Sequence, residues 1–144
     1  MKILIFTLLL CTIYSSESSS QANDSAELSI TITNVRKITG RIQIGIYNEN
    51  SDFLSTDGQF RVVYEEVKSD TVVSIIKDLP VGEYGIAIYH DENLDNECNK
   101  NFLGIPKEPY GFSTNFKPRF RKPNFNDIKI SFPEESSISI QLRH

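Results

Sequence analysis

Tryptophan is absent from this 144-residue chain, and methionine (one), cysteine (two) and histidine (two) are scarce. Without Trp, a core must draw its bulk from aliphatic residues and from six Tyr and nine Phe. We expect those aromatics to supply much of it. Beyond the N-terminal apolar run only Cys98, His90 and His144 remain, too few for a zinc centre, since such sites want about four ligands drawn largely from these types. Cys11 lies in the N-terminal apolar run, so Cys98 is the only thiol beyond it, and an internal disulfide is excluded there. A basic surplus is also missing: 15 Lys and Arg stand against 19 Asp and Glu, a net charge of −4. Charge therefore argues against nucleic acid as a partner. No apolar run approaches the roughly 20 residues that cross a bilayer as a helix. Neither a Gly-x-Ser-x-Gly elbow nor a His-Glu-x-x-His pair occurs.

What is present begins with a leader pattern. Lys2 gives a minimal positive start, an apolar run extends from Ile3 to Tyr14, and Ser20, Gln21 and Ala22 form a small-x-small triplet. This arrangement reads as a signal peptide at 1–22. A flexible lead-in at 23–26 and one domain at 27–144 follow. A buried N-terminal helix and lipid attachment at Cys11 (an outer-membrane lipoprotein) are the alternatives. Leu10 is larger than the residue a lipid-attachment signal places before its Cys. The expected product is exported, periplasmic or secreted, with no transmembrane segment once the signal is removed.

Beyond residue 27 the pattern has period two, the mark of half-buried strands. Leu28, Ile30 and Ile32 alternate with Ser29, Thr31 and Thr33; Ile42, Ile44 and Ile46 alternate with Arg41, Gln43 and Gly45. Residues 34–40 read as a hairpin connection, with Gly40 supplying a backbone conformation that a side chain resists. Residues 61–67 and 72–76 are two more β-rich runs. Leu79, Pro80, Val81 and Gly82 make a turn. Tyr84, Ile86 and Ile88 then alternate with Gly85, Ala87 and Tyr89, small residues that imply another layer close by. Runs at 128–132 and 138–142 flank a turn at 133–136. Seven strands and no helical period indicate an all-β fold, a single antiparallel β-sandwich. The stretch from Asp91 to Asn126 is a long loop, of a length that is uncommon unless functional, with a short strand expected near 102–105.

Two blocks in and before that loop are distinctive. One runs from Leu79 through Tyr84 to His90, Asp91, Glu92 and Asn93. The other reads Gly104, Ile105, Pro106, Lys107, Glu108, Pro109, Tyr110, Gly111, Phe112, Ser113. Across 28–132 the chain resembles a bacterial family of exported proteins catalogued as domain of unknown function 2141. The Leu-Pro-x-Gly-x-Tyr element is also similar to transthyretin-like (prealbumin-like) and carboxypeptidase-regulatory-like sandwiches. The first resemblance implies export and leaves the activity open; the second bears on fold alone.

The loop carries one constellation with chemistry. Asp91, Asn93 and Asp95 stand at alternate positions, followed by Glu97 and Asn99. Calcium takes six to eight oxygens from carboxylates, amides and carbonyls, and an alternating Asp/Asn loop can wrap it. Asn96 sits where such loops have Gly and tolerates a left-handed turn. The twelfth position is Phe102 rather than Glu, so any affinity is expected to be weak, in the range of about 10⁻⁴–10⁻³ M typical of extracellular modules. The competing reading is a loop whose Asp and Asn side chains cap their own backbone. Tyr110, Phe112 and Lys107 are candidates for contact with a protein or glycan partner; otherwise the two rings fold back over the sandwich. His90 beside Asp91 suggests a general base, a hydrolase reading opposed by the fact that strand neighbours face opposite ways. Lys117, Arg119, Arg121 and Lys122, interleaved with Phe116, Phe120 and Phe125, suit an anionic envelope polymer or lipid headgroups better than nucleic acid. The expectation is an exported, non-catalytic module that meets a protein or glycan partner, with a ligand-free assembly protein of the envelope as the alternative.

Overall fold

The computed structural model describes residues 26–144 apart from 56, 103–105 and 120. The expected signal peptide (1–22) and most of the lead-in (23–26) lie outside the described residues. Where branched or aromatic side chains occupy alternate positions, the chain forms strands: β1 (Leu28–Thr33), β2 (Arg41–Tyr47), β3 (Arg61–Glu66), β4 (Val72–Ile76) and β5 (Gly82–Asp91). Then come β6 (Tyr110–Phe112), one helical turn α1 (Phe125–Ile128), β7 (Lys129–Phe132) and β8 (Ser137–Gln141). The all-β sandwich is present, with eight strands among the described residues.

Two sheets share the strands. One has the order β4-β1-β8; the other runs β3-β2-β5-β6, with β7 also on β5. The ten residues of β5 hold two partners along one edge: Gly82–Gly85 faces β7 and Ala87–Tyr89 faces β6. The β4-β1-β8 sheet is not wholly antiparallel, which corrects the expected all-antiparallel pairing. β1 and β8 run parallel, with Ile30 beside Ile138 and Ile32 beside Ile140. The cause is that the turn at 133–136 carries the chain from one sheet to the other instead of back along β7. Residues 34–40 behave in the same way. They join β1 and β2 across the two layers, so the expected hairpin there is a crossover. Asn34 (φ 64°) makes the bend and donates its amide to Leu142 O at 2.7 Å.

The core is aliphatic, against the expectation from aromatic content. Leu28, Ile30, Ile32 and Ile140 of the smaller sheet meet Ile42, Ile44, Ile86 and Ile88 of the larger. Each such burial is worth about 1.5–3 kcal/mol. Among the described residues only Tyr47, Tyr84, Phe112 and Phe132 are buried aromatics. Of the other described rings, Phe53, Phe60, Phe102 and Phe116 are on loops. The small residues on the second face of β5 do face another layer: a Cβ at Gly85 would press on Ile128 and Phe125, so α1 lies directly upon it. Beside β8 the two sheets are joined, because Tyr110 and Arg143 exchange backbone hydrogen bonds of 3.1 and 2.8 Å.

Candidate functional site

The loop that carries the candidate residues leaves the end of β5. Arg41, at the start of β2, is the register partner of Asp91. The two backbones come so close at this corner that a Cβ on Gly40 (φ 67°) would fall on the Asp91 carbonyl oxygen. Asp91 is fully buried. Its Oδ2 accepts from Arg41 Nε and Nη2 (both 3.3 Å) and from Asn96 N (3.1 Å), and its Oδ1 accepts from Asp95 N (3.2 Å). Arg41 in turn lies 4.4 Å from the Tyr64 ring centre, a cation on an aromatic face. One carboxylate therefore folds the loop back on itself and is neutralised from the sheet.

Asp95 is the second hub. Its Oδ1 accepts from Glu97 N at 2.9 Å, and its Oδ2 accepts the side-chain amides of Asn93 and Asn99, each at 2.7 Å. These donors, Asn99 foremost, hold its carboxyl below the usual range. Asn93 Oδ1 accepts from Asp95 N (3.3 Å), and the Glu97 carbonyl faces the Asn99 amide at 3.4 Å. Leu94 (φ 62°) and Asn96 (φ 67°) take the left-handed conformation that this winding requires. The side chains of Asn93, Asp95 and Asn99 thus come together, while Asp91 reaches them through the Asp95 backbone amide and Glu97 joins through its backbone. Among the described residues no three of His, Cys, Asp and Glu group as metal ligands. A cation here would have to draw on amide and carbonyl oxygens as well, which is calcium chemistry.

The residue that sequence reasoning missed is Glu108. It is only 8% exposed, and its two oxygens accept from Glu92 N and Asn99 N, both at 3.2 Å, locking the two limbs of the loop together. Burial pushes its carboxyl up, and nearby Asp91 and Asp95 push the same way. The only available signal was its place inside a long specific block. Other described residues of that block are also structural. Lys107 N donates to Asn99 O (2.7 Å), and His90 N donates to Pro109 O (2.8 Å). Gly111 passes so near Ile140 that a side chain would strike it. Ser113 Oγ donates to Ile128 O and accepts from Ile86 N (3.2 Å). The expected strand near 102–105 falls largely outside the described residues; the strand of this region is β6, with a bridge between Lys100 and Pro106 before it.

A family model for uncharacterized proteins conserved in bacteria (DUF2141) matches residues 30–141. The chain belongs to that family. No curated protein matches, and no solved structure matches.

Elsewhere in this DUF2141 chain the candidate residues are more scattered. His90 is fully buried, with Nε2 donating to Thr39 O at 2.7 Å; Nδ1 has no hydrogen-bond partner among the described residues and lies 4.0 Å from Glu92 Oε1. Cys98 is half-buried, and burial pushes its thiol up. Phe112 is buried, Tyr110 half-buried against it at 5.8 Å, and Lys107 exposed. Among the described residues of this region, Leu94 (56%) and Phe102 (96%) are the exposed large apolar side chains. Two open hollows lie away from the loop, about 430 Å³ beside Tyr64 and Val73 and about 270 Å³ beside Asn48 and Tyr84. No helix among the described residues is long and apolar enough to cross a membrane.

The segment after Ser113 is fixed by its ends. Asn115 (φ 55°) donates to Ser139 O and accepts from Gln141 N, both at 2.8 Å, so its amide stands in for a strand along β8. At the far end Asn124 and Asp127 form a reciprocal cap on α1, and Arg121 forks onto the Asp127 carboxylate. Those bonds, Arg121 first, hold the Asp127 carboxyl down at about 2.

Proposed function

We propose that this protein is an exported, non-catalytic β-sandwich module, periplasmic or secreted, that meets a protein or glycan partner through the loop between β5 and β6. The observation that carries this reading is the division of labour within the loop. Its buried polar groups, His90, Asp91 and Glu108, bond to backbone and to Arg41, while Leu94 and Phe102 stand exposed on its outside. A loop held from within pays little ordering entropy on binding, and an exposed aromatic is the kind of side chain that anchors an interface. A non-catalytic role is supported by the state of the candidate nucleophiles and bases. The His90 ring is sealed in the sandwich, and the Cys98 thiol is kept protonated by burial.

The same loop is proposed to take calcium weakly. Asp91, Asn93, Asp95 and Asn99 and the Glu97 carbonyl gather their polar atoms around shared hydrogen bonds. Arg41 already balances Asp91, so the ion would lean on Asp95. Several millimolar calcium is expected to raise the melting temperature of the wild type and not of Asp95→Asn. An unchanged wild-type melting temperature removes the ion and leaves the module.

The module itself is tested by chemical cross-linking in the envelope fraction of the producing cell, comparing wild type with Leu94→Ser/Phe102→Ser. Both changes are at exposed positions, so folding is expected to survive. Loss of the wild type's cross-linked partner in the variant supports the reading. The same cross-links from both, or none from either, leaves a ligand-free assembly protein as the better description.

A further inference from the structure

The stretch 114–124 holds Lys117, Arg119, Arg121 and Lys122 and no acidic residue, in a chain whose acidic residues outnumber its basic ones 19 to 15. A charge run of this kind is ordinarily just a solvated face. Three features set this one apart. Its ends are anchored to the sandwich, by the Asn115 amide on the β8 backbone and by the Asn124–Asp127 cap with Pro123 buried beside it. Arg121 is spent on that anchorage, forked onto Asp127 and lying 5.6 Å from the Phe116 ring centre. Lys117, Arg119 and Lys122 are exposed, and none of them makes an ion pair with a described residue. The fold has thus used the Asp127 carboxylate to fix the stretch and has left three cations outward.

We propose that Lys117, Arg119 and Lys122 form a binding surface for an anionic polysaccharide, one bearing repeated carboxylate or sulfate groups. This surface is separate from the β5–β6 loop, so the proposal goes beyond the preceding reading and takes from it only that the protein is exported to where such polymers occur. Several cations on an anchored segment suit a chain of regularly spaced anions, because attraction to each adds while little is lost in ordering the segment. Two other polyanionic surfaces fit less well. A bilayer surface is usually met with apolar side chains that enter the acyl boundary, and single-stranded nucleic acid with exposed rings on which bases stack. The described ring of the stretch, Phe116, is half-buried and has Arg121 over its face.

Retention of the folded protein on immobilised polygalacturonate and dextran sulfate, with neutral dextran as control, tests the proposal. Wild type is expected to be held at about 0.05 M salt and released by about 0.5 M, where screening acts within a few ångströms. Lys117→Gln/Arg119→Gln/Lys122→Gln is expected to bind about tenfold or more weakly at an unchanged melting temperature. The charge-keeping variant Lys117→Arg/Arg119→Lys/Lys122→Arg should bind like wild type. Leu94→Ser/Phe102→Ser should also bind like wild type, so that a failure of the β5–β6 loop as a partner surface remains distinguishable. Overturning results are no retention of wild type, equal retention of the glutamine variant, or tighter partition onto anionic phospholipid vesicles than onto either polysaccharide.

Discussion

The two halves of the chain between β5 and β7 solve one problem in opposite ways. From Asp91 to Pro109 the loop is held from inside: Asp91 and Glu108 are buried and spend their oxygens on amides and on Arg41. From Thr114 to Asn124 the segment is held at its two ends nearer the surface, by exposed Asn115 on β8 and by half-buried Asp127 on exposed Arg121 and Asn124. A buried carboxylate is costly to leave without partners, whereas an exposed one is replaceable by water. The first half should therefore be stiff and intolerant of change at its hubs. The second should be tolerant at each position and dependent on salt and acid.

The sharpest way to break that contrast is at Asp91. Asp91→Ala leaves Arg41 and two amides without their acceptor, and we expect a loss of about 3 kcal/mol or more by denaturant unfolding. A loss under about 1 kcal/mol would mean that the loop is not held from within. Asn115→Ala removes two side-chain bonds to β8 from an exposed position; about 1 kcal/mol is expected from the same measurement. A smaller effect of opposite sign is expected at Leu94, whose left-handed backbone suits glycine: Leu94→Gly should stabilise by about 0.5 kcal/mol.

Acid should move the two halves in opposite directions, with the smallest effects of the set. The Asp127 carboxyl is lowered from 3.8 to about 2 by Arg121 and Asn124, so its contribution is complete above the ordinary value and is lost as pH falls through about 2. Glu108 is raised above 4.5 by burial, so ionising it opposes folding, and that penalty grows as pH rises through its raised value. Melting scans from pH 7 to 2 should show the acid-side fall flattened in Asp127→Asn. In Glu108→Gln, the decline toward neutral pH should flatten instead.

Much of the fold was legible because alternation is a local signal. Ile42, Ile44 and Ile46 announce a strand whatever their partners are, and Gly85 between Tyr84 and Ile86 announced a covering layer that proved to be α1. Pairing was not legible, because nothing local distinguishes a turn that stays in one sheet from one that crosses over. Residues 34–40 and 133–136 both cross, which places β8 parallel to β1. Spacing also brought Asp91, Asn93, Asp95 and Asn99 to attention; the last three share side-chain hydrogen bonds, and Asp91 accepts from the Asp95 backbone amide. Glu108 could not be found this way, since its amide partners lie 16 and 9 residues earlier in the chain. Phe112 was a candidate partner contact by composition and is buried instead, because β6 turns it inward beside β5.

Hydrogen exchange at single amides reaches the central claim most directly. The Asp95 and Asn96 amides should be protected through Asp91, and those of Glu92 and Asn99 through Glu108, in protein free of calcium. Protection of the first pair should vanish in Asp91→Ala and that of the second pair in Glu108→Ala. Exchange of all four at free-peptide rates in the wild type would contradict a loop organised by its own buried carboxylates.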